Sequence, residues 1–230
     1  MVHLPVLLEE TVSRLVTAPG GWYVDATAGA GGHAAAVLAA AGLDARLLAL
    51  DRDGDALELA RAALAPFGDR AILERANFAD LAEVAARHGV RDVRGILMDL
   101  GVSSMQLDRP ERGFSFRQDH PLDMRMDDRQ ELTAAKLLER LPEAELADVL
   151  RRYGEEPMAR RIARAIAAAR AQGAPIATTA QLAELVSRAK GGRRGHAHPA
   201  TQTFQALRIA VNGELDALAQ VLPAALDLLA

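Results

Sequence analysis

The stretch WYVDATAGAGGH (residues 22–33) constrains the fold of this chain more than any other. An apolar run ends at Asp25, three glycines follow, and an alanine-rich helical pattern begins directly after His33. Strand, glycine turn and helix in this order open a nucleotide-binding βαβ unit. Glycine lets the backbone turn sharply and approach a ligand, and the next helix offers unpaired N–H groups. The alternative is that this glycine turn only connects the strand to the helix and binds no ligand. The glycines are Gly29, Gly31 and Gly32.

Strand and helix signals then alternate along the first hundred residues. We predict strands over 22–26, 46–51, 71–76 and 95–99, and helices over 5–16, 32–41, 54–65 and 79–88. Such alternation indicates an α/β fold, a parallel doubly wound sheet with right-handed crossovers. Ligands of these sheets bind beyond the carboxyl ends of the strands, where the strand order reverses.

A different pattern occupies the middle of the chain. Residues 101–130 are rich in glycine, proline and charge, yet their phenylalanines and methionines argue against disorder. Helices are predicted over 131–140, 143–152, 155–171, 179–190 and 200–230. We therefore divide the chain into residues 1–107, the first part of the α/β domain, a helical insertion over 108–202, and a return to the α/β domain over 203–230.

Composition and charge narrow the class of protein. The chain has 230 residues, a net charge of −4 and no cysteine, which excludes disulfides and thiol chemistry. It has neither a long apolar run nor a signal-like start, so we expect a soluble cytoplasmic protein without membrane contact. Residues 108–202 carry 17 Lys and Arg against 14 Asp and Glu, a net +3, whereas the remainder carries 10 against 17, a net −7. This asymmetry suggests a polyanionic partner for the middle segment, although a solvated helical surface explains it equally well.

Acids at the predicted strand ends favour one cofactor over another. Asp51 lies 20 residues after Gly31, where an acid binds ribose hydroxyls in both NAD enzymes and methyltransferases. Asp25 would repel a dinucleotide pyrophosphate but suits the cationic S-adenosylmethionine. The alternative is an NAD-dependent oxidoreductase, because Gly29, Gly31 and Ala34 fit the dinucleotide spacing.

Three further residues lie at or just after the ends of predicted strands, and one of them, Asp99, faces the same predicted cleft. Asp99, at the end of the fourth predicted strand, could accept a proton or bind the cofactor, or it could simply cap a turn. Asn77 and Phe78 follow the third strand, where an amide and an aromatic edge could hold an adenine, although Phe78 could equally be a core residue.

Seven motifs in order resemble the ribosomal small-subunit RNA cytosine-N(4) methyltransferase family (RsmH or MraW). They are HLPVLLEE, VDATAGAGGH, LDRDGDAL, ILMDLGVSSMQLD, ERGFSFR, PLDMRMD and HPATQTFQALRIAVNGEL. The resemblance implies a Rossmann-like class I methyltransferase with a helical insertion. Its implied reaction is S-adenosylmethionine-dependent methylation of the exocyclic amine of one cytidine near the decoding site. The implied cofactor contacts are Gly31, Gly32, His33, Asp51, Phe78, Asp99 and Gln106.

The chain departs from the family pattern at three places. Met105 stands where the family usually has proline, and Gln202 where it commonly has arginine. The family also continues into further strands, whereas this chain ends at Ala230. We therefore expect a sheet of four strands with the far edge of the fourth unpaired, a truncated product, and an activity in doubt. A catalytically inactive cofactor- or RNA-binding remnant is the corresponding alternative.

The implied chemistry needs a proton acceptor and a way to hold the base. An exocyclic amine is a poor nucleophile, so an acceptor must draw off its proton; Asp99 is our first candidate and Ser103 the second. Phe114 or Phe116 could stack on the base, or both could anchor the loop as core residues.

Arginines are the candidate phosphate contacts of the middle segment, and each could instead be a solvated or salt-bridged side chain. The spacing of His196 and His198 lacks further ligands, so no metal site is predicted. The candidate RNA-binding arginines are Arg112, Arg117, Arg125, Arg193, Arg194 and Arg208.

Overall fold

The computed structural model describes residues 5–192 and 198–230, which form two compact units. The sheet unit comprises the residues up to Gly101 together with Leu215–Ala230, and the helical unit comprises Val102–Glu214. The helical unit thus begins before residue 108 and ends beyond residue 202, the limits drawn from the sequence. The cause is local: Ser103 caps the first helix of this unit, and the helix over Thr201–Asn212 packs within it.

The described residues contain four strands and eleven α-helices. In the sheet unit these are α1 (Leu8–Leu15), β1 (Gly21–Asp25), α2 (Gly32–Ala40), β2 (Ala45–Asp51), α3 (Gly54–Leu64), β3 (Ala71–Arg75), α4 (Leu81–Arg87) and β4 (Val93–Leu97). In the helical unit they are α5 (Ser104–Asp108), α6 (Ala134–Arg140), α7 (Glu143–Gly154), α8 (Ala159–Ala171), α9 (Thr179–Ala189) and α10 (Thr201–Asn212). The chain ends with α11 (Glu214–Leu228), and short 3-10 helices cover Ala65–Arg70, Phe78–Asp80 and Pro110–Arg112.

The sheet is parallel, with strand order β3-β2-β1-β4. Alternate side chains of each strand point to opposite faces, so two apolar layers form. Val24, Leu48 and Leu50 pack in the layer that contains residues of α4 and α11. Tyr23 and Leu47 pack in the layer that contains residues of α2. The predicted α/β architecture is confirmed.

The outer edge of β4 differs from the prediction. Leu229 forms a parallel bridge with Val93, and the N–H of Ala230 donates to the carbonyl oxygen of Val93 at 3.0 Å. The expectation that this edge is wholly unpaired was therefore wrong at Val93. The cause is α11, which brings the last residues alongside β4.

Beyond α5 and the short 3-10 helix that follows it, residues 101–130 are ordered by side-chain and backbone contacts. Buried Asn212 of α10 accepts a hydrogen bond from the N–H of Met126 at 2.8 Å and donates to the carbonyl of Met124 at 2.7 Å. Arg112 donates to the carbonyls of Arg125 and Met126. These bonds hold the buried Met124 at a φ of 64°, which is uncommon for a residue with a side chain.

We predict that Asn212→Ala destabilises the helical unit by about 2–4 kcal/mol, because backbone groups of the segment lose their buried partner. Urea unfolding followed by circular dichroism measures this. Gln205→Ala, an exposed change on the same helix, serves as the control and should stay within about 0.5 kcal/mol of the parent chain. Equal stabilities of the two variants would show that Asn212 does not hold the segment.

No helix within the described residues combines the length and the apolar character that crossing a membrane requires.

Candidate functional site

The glycine turn joins β1 to α2 at the carboxyl edge of the sheet. Gly31, the residue before α2, has a φ of 82°, and a Cβ there would lie 2.9 Å from the Cα of Ala60. Gly32 is restricted by Pro5, whose Cγ would lie 2.5 Å from an added Cβ. Gly31 is therefore required both by its backbone conformation and by close packing.

Asp51 ties the end of β2 to this turn. Its Oδ2 accepts the N–H of Gly29 at 2.8 Å, and its Oδ1 accepts the N–H of Asp53 at 2.9 Å. Burial raises the pKa of the Asp51 carboxyl above its ordinary value, although these backbone donors oppose the rise. The sequence suggested a ribose acceptor at this position and gave no sign of the structural bond to Gly29.

Asp25, the last residue of β1, is a buried acid with one carboxylate oxygen that lacks a hydrogen-bond partner among the described residues. Its side chain is 2 % exposed, and its Oδ1 accepts the N–H of Thr27 at 3.1 Å. Among the residues that the structure describes, Oδ2 has no hydrogen-bond partner. Burial raises the pKa of Asp25 from 3.8 to about 7, and repulsion from Asp51 and Asp99 adds to the rise. Asp51 and Asp99 are thus close enough to Asp25 to affect it electrostatically.

Asp99 lies two residues beyond the strand that was predicted to end on it. Regular pairing stops at β4's last residue, Leu97, whose carbonyl accepts the N–H of Ala26 at 2.9 Å. The N–H of Asp99 instead donates to Oγ1 of Thr27 at 2.7 Å, which is why the strand ends early. The Asp99 side chain is exposed. Thr27 consequently connects the segment after β1 to the segment after β4.

The other predicted cofactor residues of the sheet unit lie around the same edge. His33, 9 % exposed, places Nε2 3.1 Å from the carbonyl oxygen of Val6. Phe78 begins the 3-10 helix after β3 and is half-buried against one apolar layer. Asn77 caps this helix by accepting the N–H of Ala79 at 3.1 Å. Phe78 thus packs against the core and Asn77 caps a helix, whether or not either residue also contacts a cofactor.

Ser103 and Gln106 belong to the helical unit, where they form the cap of α5. Oγ of Ser103 accepts the N–H of Gln106 at 3.2 Å, and Oε1 of Gln106 accepts the N–H of Ser103 at 3.1 Å. This reciprocal pair is a capping box. The sequence missed this helix because it lies within the irregular segment. The cofactor contact of Gln106 and the catalytic role of Ser103 stay predictions.

Three of the candidate RNA-binding arginines are held by internal contacts. Arg112 donates to backbone carbonyls, Arg125 pairs with Asp123 at 2.7 Å, and Arg208 pairs with Glu214 at 2.8 Å. Arg117 is exposed and has no side-chain ion pair among the described residues. Arg193, Arg194 and His196 lie outside the described residues.

The candidate stacking residues pack within the helical unit. Phe114 is 7 % exposed and belongs to the core. The Phe116 ring stacks on His198 with centroids 4.4 Å apart and meets the edge of Phe204 at 4.9 Å. Within residues 5–192 and 198–230, no three His, Cys, Asp or Glu side chains are grouped so as to hold a metal ion.

The sheet order reverses between β1 and β4, so ligands of such a sheet bind beside the carboxyl ends of these two strands. Asp25 is the last residue of β1, and the glycine turn and Asp99 follow the ends of β1 and β4. The strand order and the glycine turn define a Rossmann-like α/β unit.

The chain belongs to the MraW methylase family, whose model matches residues 1–230. It is 53 % identical over 229 residues to the Ribosomal RNA small subunit methyltransferase H of Symbiobacterium thermophilum, covering 99 % of this chain and 72 % of the relative. The protein of the same name from Dehalococcoides mccartyi is 51 % identical over 227 residues, covering 99 % and 64 %. That of a Cyanothece species is 54 % identical over 221 residues, covering 96 % and 72 %.

The resemblance stated from the motifs is thereby confirmed. The chain spans between 64 % and 72 % of the length of these relatives.

Proposed function

We propose that this chain transfers a methyl group from S-adenosylmethionine to the 4-amino group of a cytidine in small-subunit ribosomal RNA, near the decoding site. Membership of a methylase family supports methyl transfer, and the names of the relatives support the RNA. The observation that carries the choice of cofactor is Asp25, a buried acid with an unpartnered oxygen beside the glycine turn.

The residues of the sheet unit fit a cationic, phosphate-free cofactor. A buried carboxylate near two more acids disfavours a pyrophosphate and stabilises an ammonium or sulfonium group. Gly31 and Gly32 would bring backbone close to the ligand, and Asp51 retains lone pairs for ribose hydroxyls. Phe78 would contact the adenine, and His33 would hold the turn and face the carboxylate end. S-adenosylmethionine, when bound, supplies an electrophilic methyl group.

The chain's own part in the reaction is to orient the amine and accept its proton. Asp99 is exposed beyond β4, where its side-chain oxygens can accept a hydrogen bond from an exocyclic amine. Ser103 is the weaker candidate, because a hydroxyl is a poor base and its oxygen already accepts the N–H of Gln106. Alignment of amine and methyl group contributes up to about 7–11 kcal/mol, more than a single proton acceptor.

Methyl transfer to ribosomal particles tests this function. Small subunits that lack base methylation are incubated with this chain and S-adenosylmethionine carrying a labelled methyl group, and the RNA is digested to nucleosides. We expect label in N4-methylcytidine from one position. Label in another nucleoside would overturn the cytidine assignment, and absence of label would favour the remnant interpretation. Reactions without the chain give the background.

A further inference from the structure

The helical unit carries an aromatic stack that ends at the surface. Phe204 on α10 is 5 % exposed, Phe116 is half-buried, and His198 is exposed. The rings of Phe116 and His198 are inclined by 28° and stacked, whereas Phe204 meets Phe116 edge-on at 77°. Phe116 covers one face of the His198 ring, and because the His198 side chain is exposed, its ring can also contact a further flat ring.

The backbone fixes the outermost ring in place. Nδ1 of His198 accepts the N–H of Ala200 at 3.2 Å, directly before α10. A ring held by a hydrogen bond and by stacking loses little conformational entropy when it binds, which is what a recognition surface requires.

Polar side chains, two arginines and one acid, Asp108, lie beside the stack. A cavity of about 410 Å³ adjoins Phe116 and Phe204. Hydroxyl and amide groups that can meet base edges or a ribose line it, among them Ser104, Ser115, Thr201 and Gln205. Arg117 also lines it and is exposed without an ion pair among the described residues, so it can meet a phosphate without breaking an internal bond. Arg208, on the same cavity, is already neutralised by Glu214.

We propose that His198 is a stacking platform for one unstacked base of single-stranded RNA, and that Arg117 contacts a phosphate of the same strand. Aromatic platforms beside cationic side chains are how proteins bind single strands, since every base has a π-face. The proposal rests on the proposed RNA substrate and assigns part of its binding surface. The spacing of His198 to His196 raised only the question of a metal site, whereas the proposal assigns His198 to RNA binding.

Binding of a labelled single-stranded RNA oligonucleotide, followed by fluorescence anisotropy across a salt series, tests the proposal. We expect His198→Ala to weaken binding by about five- to hundredfold without changing the salt slope. His198→Tyr keeps a flat ring and should stay within about threefold of the parent chain. His198→Asn keeps an acceptor for the Ala200 N–H but has no ring, and it should bind as weakly as His198→Ala.

Arg117→Ala should lower the salt slope by about one, the signature of a lost phosphate contact. Arg188→Ala, an exposed cation on α9 away from this cavity, is the matched control. Two results for the variants would overturn the proposed role of His198: binding by His198→Ala as tight as that of the parent chain, or equal losses in His198→Ala and His198→Tyr. Failure of the parent chain to bind RNA would overturn it as well. If the parent chain binds RNA through His198 yet transfers no methyl group, the proposed function fails and the platform stands.

Discussion

Asp99→Asn is expected to lower the rate of methyl transfer by about 10²- to 10⁴-fold, the range that a positioned proton acceptor contributes. The amide has the shape of the carboxylate but cannot take up the proton of the amine. The backbone N–H of Asp99 still donates to Thr27, so the segment after β4 keeps its place. Single-turnover transfer of labelled methyl to small subunits measures the effect.

Ser103→Ala separates the two candidate acceptors. It removes the oxygen that caps α5, which costs about 1 kcal/mol of helix stability, and leaves Asp99 unchanged. We expect its rate to stay within tenfold of the parent chain. A larger loss in Ser103→Ala than in Asp99→Asn would transfer the acceptor role to the serine.

The second large effect concerns stability and pH, and it comes from Asp25. Its pKa is about 7 in the folded chain, against an ordinary value of 3.8. A raised pKa means that the folded chain holds the proton more tightly than the unfolded chain does. The favourable contribution is therefore complete below about pH 4 and is lost as the pH rises to about 7. A difference of about three pKa units corresponds to about 4 kcal/mol.

Asp25→Asn removes this titration. Between pH 4 and pH 7 the unfolding free energy of the variant should rise relative to that of the parent chain, by about 4 kcal/mol in all, and then level off. Urea titrations at several pH values measure the difference. Asp227→Asn, an exposed change on α11, is the control and should run parallel to the parent chain. Parallel curves for Asp25→Asn would mean that Asp25 is not held in a buried, charge-disfavouring position.

Local patterns predicted much of the sheet unit. The apolar run ending at Asp25, the glycines after it and the run ending at Asp51 are short-range signals, and both strands end at these acids. The sequence correctly predicts that Asp99 lies at the carboxyl edge of the sheet, but it wrongly includes Asp99 in the fourth strand, which ends at Leu97. The donor to Thr27 that stops the pairing is a contact between residues 72 positions apart, which no local pattern reports.

The helical unit was harder to predict for the same reason. Asn212 and Met124 are 88 positions apart, and their hydrogen bond orders a segment that has no periodicity of its own. The stack of His198 on Phe116 likewise depends on residues brought together by α10. Apolar residues within the segment 101–130 correctly predicted that it would pack, but its partners could only come from the fold.

The central claim is that a cationic methyl donor binds beside Asp25, and calorimetry in two buffers of different ionisation enthalpy tests it most directly. A positive ligand beside this carboxyl lowers its pKa, so binding at pH 7 must release protons to the buffer. We predict binding of S-adenosylmethionine with proton release that Asp25→Asn abolishes, and no heat with NADH. Tight NADH binding, no heat with S-adenosylmethionine, or proton release that persists in Asp25→Asn would contradict the account.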